Sequence, residues 1–250
     1  MFERISLRIA HYALRIVAAA VLLLGATAFA AGINADTKPV DKNILPAHKH
    51  TANCEKTTAE PVQIICILDR SGSMHSLAND VIGGYNSFLA NQRKESGKAE
   101  VTTVIFDDRY EKISNAVDLN EVKDITSAEY FARGNTALMD AIGRTITETL
   151  ANMEKEKICP AKRRVLVLIM TDGLENASKE YNKAAVKALI ESTTKNYEWR
   201  YEFIGANIDS AAEAKSIGID ANHAMNYNAD SEGVQQSFAR MGEAAKEVRR

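Results

Sequence analysis

Cysteine is scarce in this 250-residue chain: Cys54, Cys66 and Cys159 are the only three. So few, and an odd number, exclude a scaffold built from disulfides. Cys54 and Cys159 remain a candidate pair that the sequence alone leaves open. Basic charge is not in excess. The formal net charge is -2, and it becomes more negative without residues 1–30, where Arg4, Arg8 and Arg15 outnumber Glu3. Such a body has no electrostatic footing on nucleic acid. The common catalytic signatures are missing too. There is no phosphate-cradling Gly-rich loop with its lysine, no His-Glu-x-x-His zinc motif, no nucleophile elbow, no Ser-His-Asp set and no dinucleotide fingerprint. Apolar residues, by contrast, are ample at 46%, enough to build a core and to exclude disorder of the whole chain.

Residues 1–30 carry an order of their own. Three arginines come first, Ile16–Leu24 is strongly apolar, and Ala28-Phe29-Ala30 is a small-x-small site. This is the layout of a secretory signal peptide cleaved after Ala30, or of an uncleaved signal anchor. Either one carries the rest of the chain out of the cytoplasm, to the periplasm, the envelope or the medium. A soluble cytoplasmic protein is the alternative if the segment is no signal. Residues 31–60 are polar, and three of the four prolines lie between Pro39 and Pro61, which reads as a linker. His48, His50 and Cys54 fall there, most simply as solvated linker residues.

From residue 61 to 250 apolar runs alternate with helical periodicity. Val62–Leu68 and Val165–Met170 are almost wholly apolar, as strands buried on both faces are. Further strands are expected at Val101–Phe106, Tyr110–Ile113, Tyr201–Gly205 and near His223–Tyr227. The turn Asp107-Asp108-Arg109 makes a hairpin with an antiparallel edge strand. Helical spacing marks Leu77–Leu89, Ala137–Met153, Asn182–Glu191, Ser210–Ser216 and Val234–Val248. Gly218 suits a left-handed cap. Gly83-Gly84 lies inside the first of these helices, and close packing against the sheet is one reason to keep it there. Met74 and Tyr85 read as core. The alternation predicts an α/β domain with a mostly parallel sheet covered on both faces.

Both fully apolar strands end on an aspartate, in Leu68-Asp69-Arg70-Ser71-Gly72-Ser73 and in Met170-Thr171-Asp172-Gly173. Ligand sites in open α/β sheets lie beyond the carboxyl ends of strands. Gly134-Asn135-Thr136-Ala137-Leu138 brings a third segment to the same rim. Singly, Ser71, Ser73 and Thr136 are helix caps and Asp172-Gly173 is a turn. Jointly, Asp69, Ser71, Ser73, Thr136 and Asp172 are an all-oxygen set suited to Mg²⁺ or a similar hard divalent ion.

Asp69-x-Ser71-x-Ser73, with Thr136 in Gly-x-Thr-Ala-Leu and Asp172 in Thr-Asp-Gly, resembles the metal-ion-dependent adhesion site of the von Willebrand factor type A family. The core is similar to compact single-domain bacterial members. The resemblance covers Val62 to Val248. It implies a doubly wound six-stranded sheet of order 3-2-1-4-5-6. It also implies that Ser71 and Ser73 ligate Mg²⁺ (or Mn²⁺ or Ca²⁺) directly, that Thr136 does so directly or through water, and that Asp69 and Asp172 act largely through water. An open coordination position would then take a Glu or Asp carboxylate of a partner protein. The expected function is a metal-dependent protein-binding module with an accessory, scaffold or adhesion role, in the envelope if the chain is exported. A cytoplasmic, stress-associated scaffold and a metal-assisted hydrolase are the alternatives. A switch that couples Thr136 to the last helix is a family expectation. Asp140 reads as a helix-N-terminus carboxylate or as an outer partner of the metal, Arg70 and Asn135 as rim residues, His75 as a surface residue, and Lys162-Arg163-Arg164 as a solvated lead-in to a strand.

Overall fold

A computed structural model of the chain describes residues 61–250. The signal segment, the linker and the His48, His50 and Cys54 readings lie outside the described residues. The domain begins with β1 (Val62–Asp69), a 3₁₀ turn (Gly72–Leu77) and α1 (Ala78–Gln92). The hairpin β2 (Ala99–Phe106) and β3 (Tyr110–Asp118) follows, then α2 (Leu138–Lys155), β4 (Val165–Thr171) and α3 (Lys183–Tyr197). β5 (Arg200–Ala206), α4 (Ser210–Ser216), β6 (Ala224–Tyr227) and α5 (Ser231–Arg249) complete it.

The sheet has six strands in the order β3-β2-β1-β4-β5-β6. Only the β2–β3 pair is antiparallel. A mostly parallel sheet covered on both faces is what the alternation predicts, and the strand order is the one the family resemblance implies. All residues of β1 and β4 are buried, because helices cover both faces. On β1, Val62, Ile64, Cys66 and Leu68 pack against α1 and α5, while Ile65 and Ile67 join the layer of α2 and α3. Cys66 is a buried free thiol, and burial pushes its pKa up to about 12. Cys159 is disulfide-bonded. Met74 and Tyr85 are core residues, and the Tyr85 hydroxyl lies 2.6 Å from that of Thr103.

Several expectations are corrected. β3 runs five residues past Ile113, since its alternating burial pairs it along the whole of β2 across two register shifts. α3 reaches Tyr197 and stops at Glu198 in the left-handed region. Gly84 answers to α5, not to the sheet: a Cβ there would lie 2.2 Å from Phe238 Cδ2. Glycine therefore lets the first and last helices touch. Arg163 is buried and paired with Glu100, so the basic lead-in to β4 is not wholly solvated. Gly218 is left-handed, as expected, at φ 86°.

Candidate functional site

Parallel neighbours β1 and β4 deliver Asp69 and Asp172 to the same edge of the sheet, because Leu68 stands opposite Met170 in the register. Both Asp69 oxygens are occupied: Oδ1 accepts the Ser71 N–H at 2.6 Å, and Oδ2 accepts the Thr171 hydroxyl at 2.6 Å. The buried Tyr130 hydroxyl donates to the Asp69 carbonyl. Those bonds hold the turn after β1 so that the Ser71 and Ser73 hydroxyls lie 3.2 Å apart. The Ser73 hydroxyl donates to Asp172 Oδ1 at 2.5 Å. Thr136 completes the set. A Cβ built on Gly173 would lie 3.4 Å from Thr136 Oγ1 and 3.6 Å from Ser73 Oγ. Glycine at 173 keeps a side chain out of contact with those two hydroxyls.

Sequence spacing thus brings all five expected donors together. Asp69, Ser71, Thr136 and Asp172 are buried and Ser73 is exposed. The capping alternative fails for the hydroxyls, since Ser71 makes no side-chain cap bond and Ala137, not Thr136, stands at the N-cap of α2.

Burial pushes the Asp69 carboxyl up to about 6, against the hydrogen bonds from Thr171 and Ser71, and the charge of Asp172 adds to the rise. Burial also raises Asp172, against the Ser73 hydroxyl. Neither carboxylate has an ion pair among the described residues. Two desolvated carboxylates beside three hydroxyls are a donor set that a hard divalent cation fits. No cluster of three or more His, Cys, Asp or Glu assembles among the described residues.

Other residues have duties that sequence reading missed. Asp140 is a loop anchor: its carboxylate accepts the N–H groups of Lys179, Glu180 and Tyr181 at 2.7–2.8 Å. Glu175 does the same in reverse, accepting from the N–H groups of Met139, Ala177 and Ser178. Thr136 and Asn176 are joined twice, Thr136 N–H to Asn176 Oδ1 at 2.9 Å and Asn176 N–H to the Thr136 carbonyl at 3.0 Å. The loop after β4 is thereby lashed to the start of α2. Nothing in the sequence marked it, since Asn176 lies 40 residues from Thr136 and Glu175 lies 36 residues from Met139. Asn135 and His75 are exposed, as expected. Arg70 is not a rim residue. It is fully buried, paired with Asp107 at 3.0 Å and with Glu111 at 2.5 Å.

Comparisons with known proteins agree with this fold. The pilus adhesin SpaC of Lactobacillus rhamnosus GG, in an open conformation, superposes with a TM-score of 0.59 at 11% identity, over 78% of this chain and 31% of that one. Proximal thread matrix protein 1 of the mussel byssus, with a zinc-occupied MIDAS motif, gives 0.51 at 16% identity, over 75% and 46%. Manganese-loaded TRAP protein of Plasmodium vivax gives 0.51 at 16%, over 72% and 73%. The chain thus spans less than half the length of the byssus protein and of the adhesin. At these identities the likeness is one of fold. No match was found among curated proteins. The family profile described as VWA domain containing CoxE-like protein matches residues 39–197, well over half of the sequence, and the chain belongs to that family.

Proposed function

We propose that the domain binds a partner protein through a divalent cation held at the tips of β1 and β4, and that it does so outside the cytoplasm. The observation that carries the reading is the convergence of Ser71, Ser73, Thr136 and Asp172 beside Gly173. The zinc-occupied and manganese-loaded relatives of the same fold support a cation there.

Ser71, Ser73 and Thr136 would face the ion with neutral hydroxyls, while Asp69 orients the Ser71 backbone and Asp172 orients the Ser73 hydroxyl. A bound Mg²⁺, Mn²⁺ or Ca²⁺ held largely by neutral oxygens keeps most of its charge and offers a position to an anionic oxygen. The exposed Ser73 side marks the approach for a partner's Glu or Asp side chain. The Asp140 and Glu175 anchors keep the Thr136 side of the mouth in place. Neither histidine of residues 61–250 is held against the hydroxyls by a described contact, which favours binding over histidine-assisted hydrolysis: His75 is exposed on the 3₁₀ turn, and His223 bonds Glu202 at 2.9 Å.

Calorimetry with MgCl₂ and MnCl₂ on the wild type and Ser73→Ala is the test. It is to be followed by an array of peptides carrying Glu or Gln at one position, with Mg²⁺ and with EDTA. Uptake by the wild type that is lost in Ser73→Ala, with retention of Glu peptides only when Mg²⁺ is present, is the expected result. No uptake of either ion at millimolar concentration overturns the reading. So does robust phosphoester or peptide turnover that Asp172→Ala abolishes.

Export is supported by the basic–apolar–small order of residues 1–30 and by the disulfide at Cys159, a bond that persists in oxidising compartments. Fractionation with N-terminal sequencing is expected to find a chain starting at Ala31, or a membrane-bound one if the segment stays. A soluble cytoplasmic chain with Met1 intact defeats this placement.

A further inference from the structure

Two of the three ligand-bearing loops meet a second, ionic feature that contributes no atom to the oxygen set. Arg70 lies between Asp69 and Ser71 with no exposed side-chain surface. Its backbone N–H donates to the Phe106 carbonyl at 2.8 Å, and its own carbonyl accepts the Arg133 N–H at 2.9 Å. Its guanidinium sends Nε to Asp107 Oδ2 at 3.0 Å and Nη1 to the Glu129 carbonyl at 3.0 Å, with Nη2 at 2.5 Å from Glu111 Oε1. Arg133 enters the same pair of acids: Nε donates to Asp107 Oδ2 at 2.7 Å and Nη2 to Glu111 Oε1 at 2.6 Å. Both guanidinium groups lie over the Phe131 ring, at 5.4 and 5.0 Å. This accounts for a phenylalanine left 42% exposed, since cations favour the face of an aromatic ring.

The backbone bonds tell where this unit acts. The Asp107 carbonyl accepts the N–H of Ala137, next to Thr136, at 2.9 Å, and the Gly134 carbonyl accepts the Gly72 N–H at 3.1 Å. Gly134 has φ 66°, and a Cβ there would lie 2.1 Å from Asp108 Oδ1, so that turn favours glycine. The segments 69–73, 107–109 and 129–137 are therefore tied at Arg70, Asp107 and Arg133. Two of them carry Ser71, Ser73 and Thr136.

We propose that Arg70, Asp107 and Arg133 are positioning residues that set the distance between the Ser71–Ser73 turn and the Thr136 loop before any cation arrives. The inference rests on the cation-site reading above and adds to it a device that prepares the site. Two guanidinium groups against two carboxylates leave the unit electrically balanced. It can therefore hold the loops rigidly without adding a charge that repels a cation or attracts a partner. Its planar forks fix angles as well as distances, which a lysine cannot do.

The test uses Arg133, whose side chain is 30% exposed, because removing the fully buried Arg70 endangers folding. Full-length wild type, Arg133→Gln, Arg133→Lys and a control, Arg240→Gln, are compared. Arg240 pairs with Glu202 at 3.2 Å, on a strand position away from the tips. Two quantities are read on folded protein: Mg²⁺ affinity by calorimetry, and amide hydrogen exchange without any metal. In Arg133→Gln the expected results are an affinity lower by about 10-fold or more and faster metal-free exchange confined to residues 70–73 and 133–137, with partial recovery in Arg133→Lys. Arg240→Gln should lower the melting temperature and change neither quantity. Unchanged affinity in folded Arg133→Gln overturns the proposal, and so does an equal loss in Arg240→Gln. If the wild type takes up no Mg²⁺, the cation-site reading falls by itself. The metal-free exchange then still decides whether Arg133 sets the loops, with unaltered exchange overturning that as well.

Discussion

Asp172→Asn is expected to weaken Mg²⁺ binding by about 100-fold or more, roughly 2.7 kcal/mol, while making the metal-free protein more stable. The two effects share one cause. Asp69 and Asp172 are both buried at adjacent strand tips, and burial raises both carboxyls from their ordinary values. Without a cation, two desolvated like charges oppose each other. Asparagine keeps an oxygen to accept the Ser73 hydroxyl, so the turn geometry survives and one charge goes. A metal-free stabilisation on the order of 1 kcal/mol is expected, which raises the melting temperature by roughly 2–4 °C for a domain of this size. Calorimetry and thermal melts in EDTA check both signs. A variant that loses metal binding and also stability would mean that Asp172 serves chiefly to hold the fold.

The largest loss of stability is expected from Asp107→Ala. Asp107 has no exposed side-chain surface and receives both Arg70 and Arg133. Removing one partner of a buried ion pair strands the other, at a cost of about 3–5 kcal/mol. That corresponds to a melting temperature lower by roughly 6–20 °C. The penalty depends on pH in a defined direction. Burial on its own raises the Asp107 carboxyl, but the Arg133 hydrogen bond, the Arg109 N–H and the Arg70 charge outweigh it and hold the group below 3.8. A carboxylate lowered in the folded state stabilises the fold above its ordinary value and gives that up as pH falls through the folded value. The gap between wild type and Asp107→Ala is therefore full near neutrality and narrows below about pH 4. Urea melts across that range measure it, and a gap that widens in acid would contradict the pairing.

Much of this was readable in advance, and for identifiable reasons. The layered, mostly parallel sheet followed from alternation, because runs such as Val165–Met170 have one stable place in an α/β domain, between two helical layers; the strand order came only from the family resemblance. That the five candidate residues meet at one rim was readable because each sits at a strand end or a helix start, positions that sequence marks. Arg70 was not. An arginine between two site residues reads as exposed rim, and only tertiary structure shows Asp107 and Glu111 arriving from a distant hairpin to neutralise it. Asp140 was read only in part, for a related reason: it stands in the first turn of α2 as expected, with a further duty that the sequence did not mark. Its place in the first turn points to that helix alone, while its carboxylate also accepts backbone amides about forty residues later. Gly84 was correctly singled out but assigned the wrong neighbour, since helix–helix contact and helix–sheet contact ask the same smallness of a residue.

Cys66 gives the molecule a built-in clock. The thiol sits in the central strand, under both α1 and α5, and burial keeps it in the unreactive protonated form. Local fraying of loops does not reach such a depth. An alkylating reagent in solution would therefore modify this sulfur only when the central strand itself comes apart, so the speed of labelling counts whole-domain openings and not the movements at the strand tips.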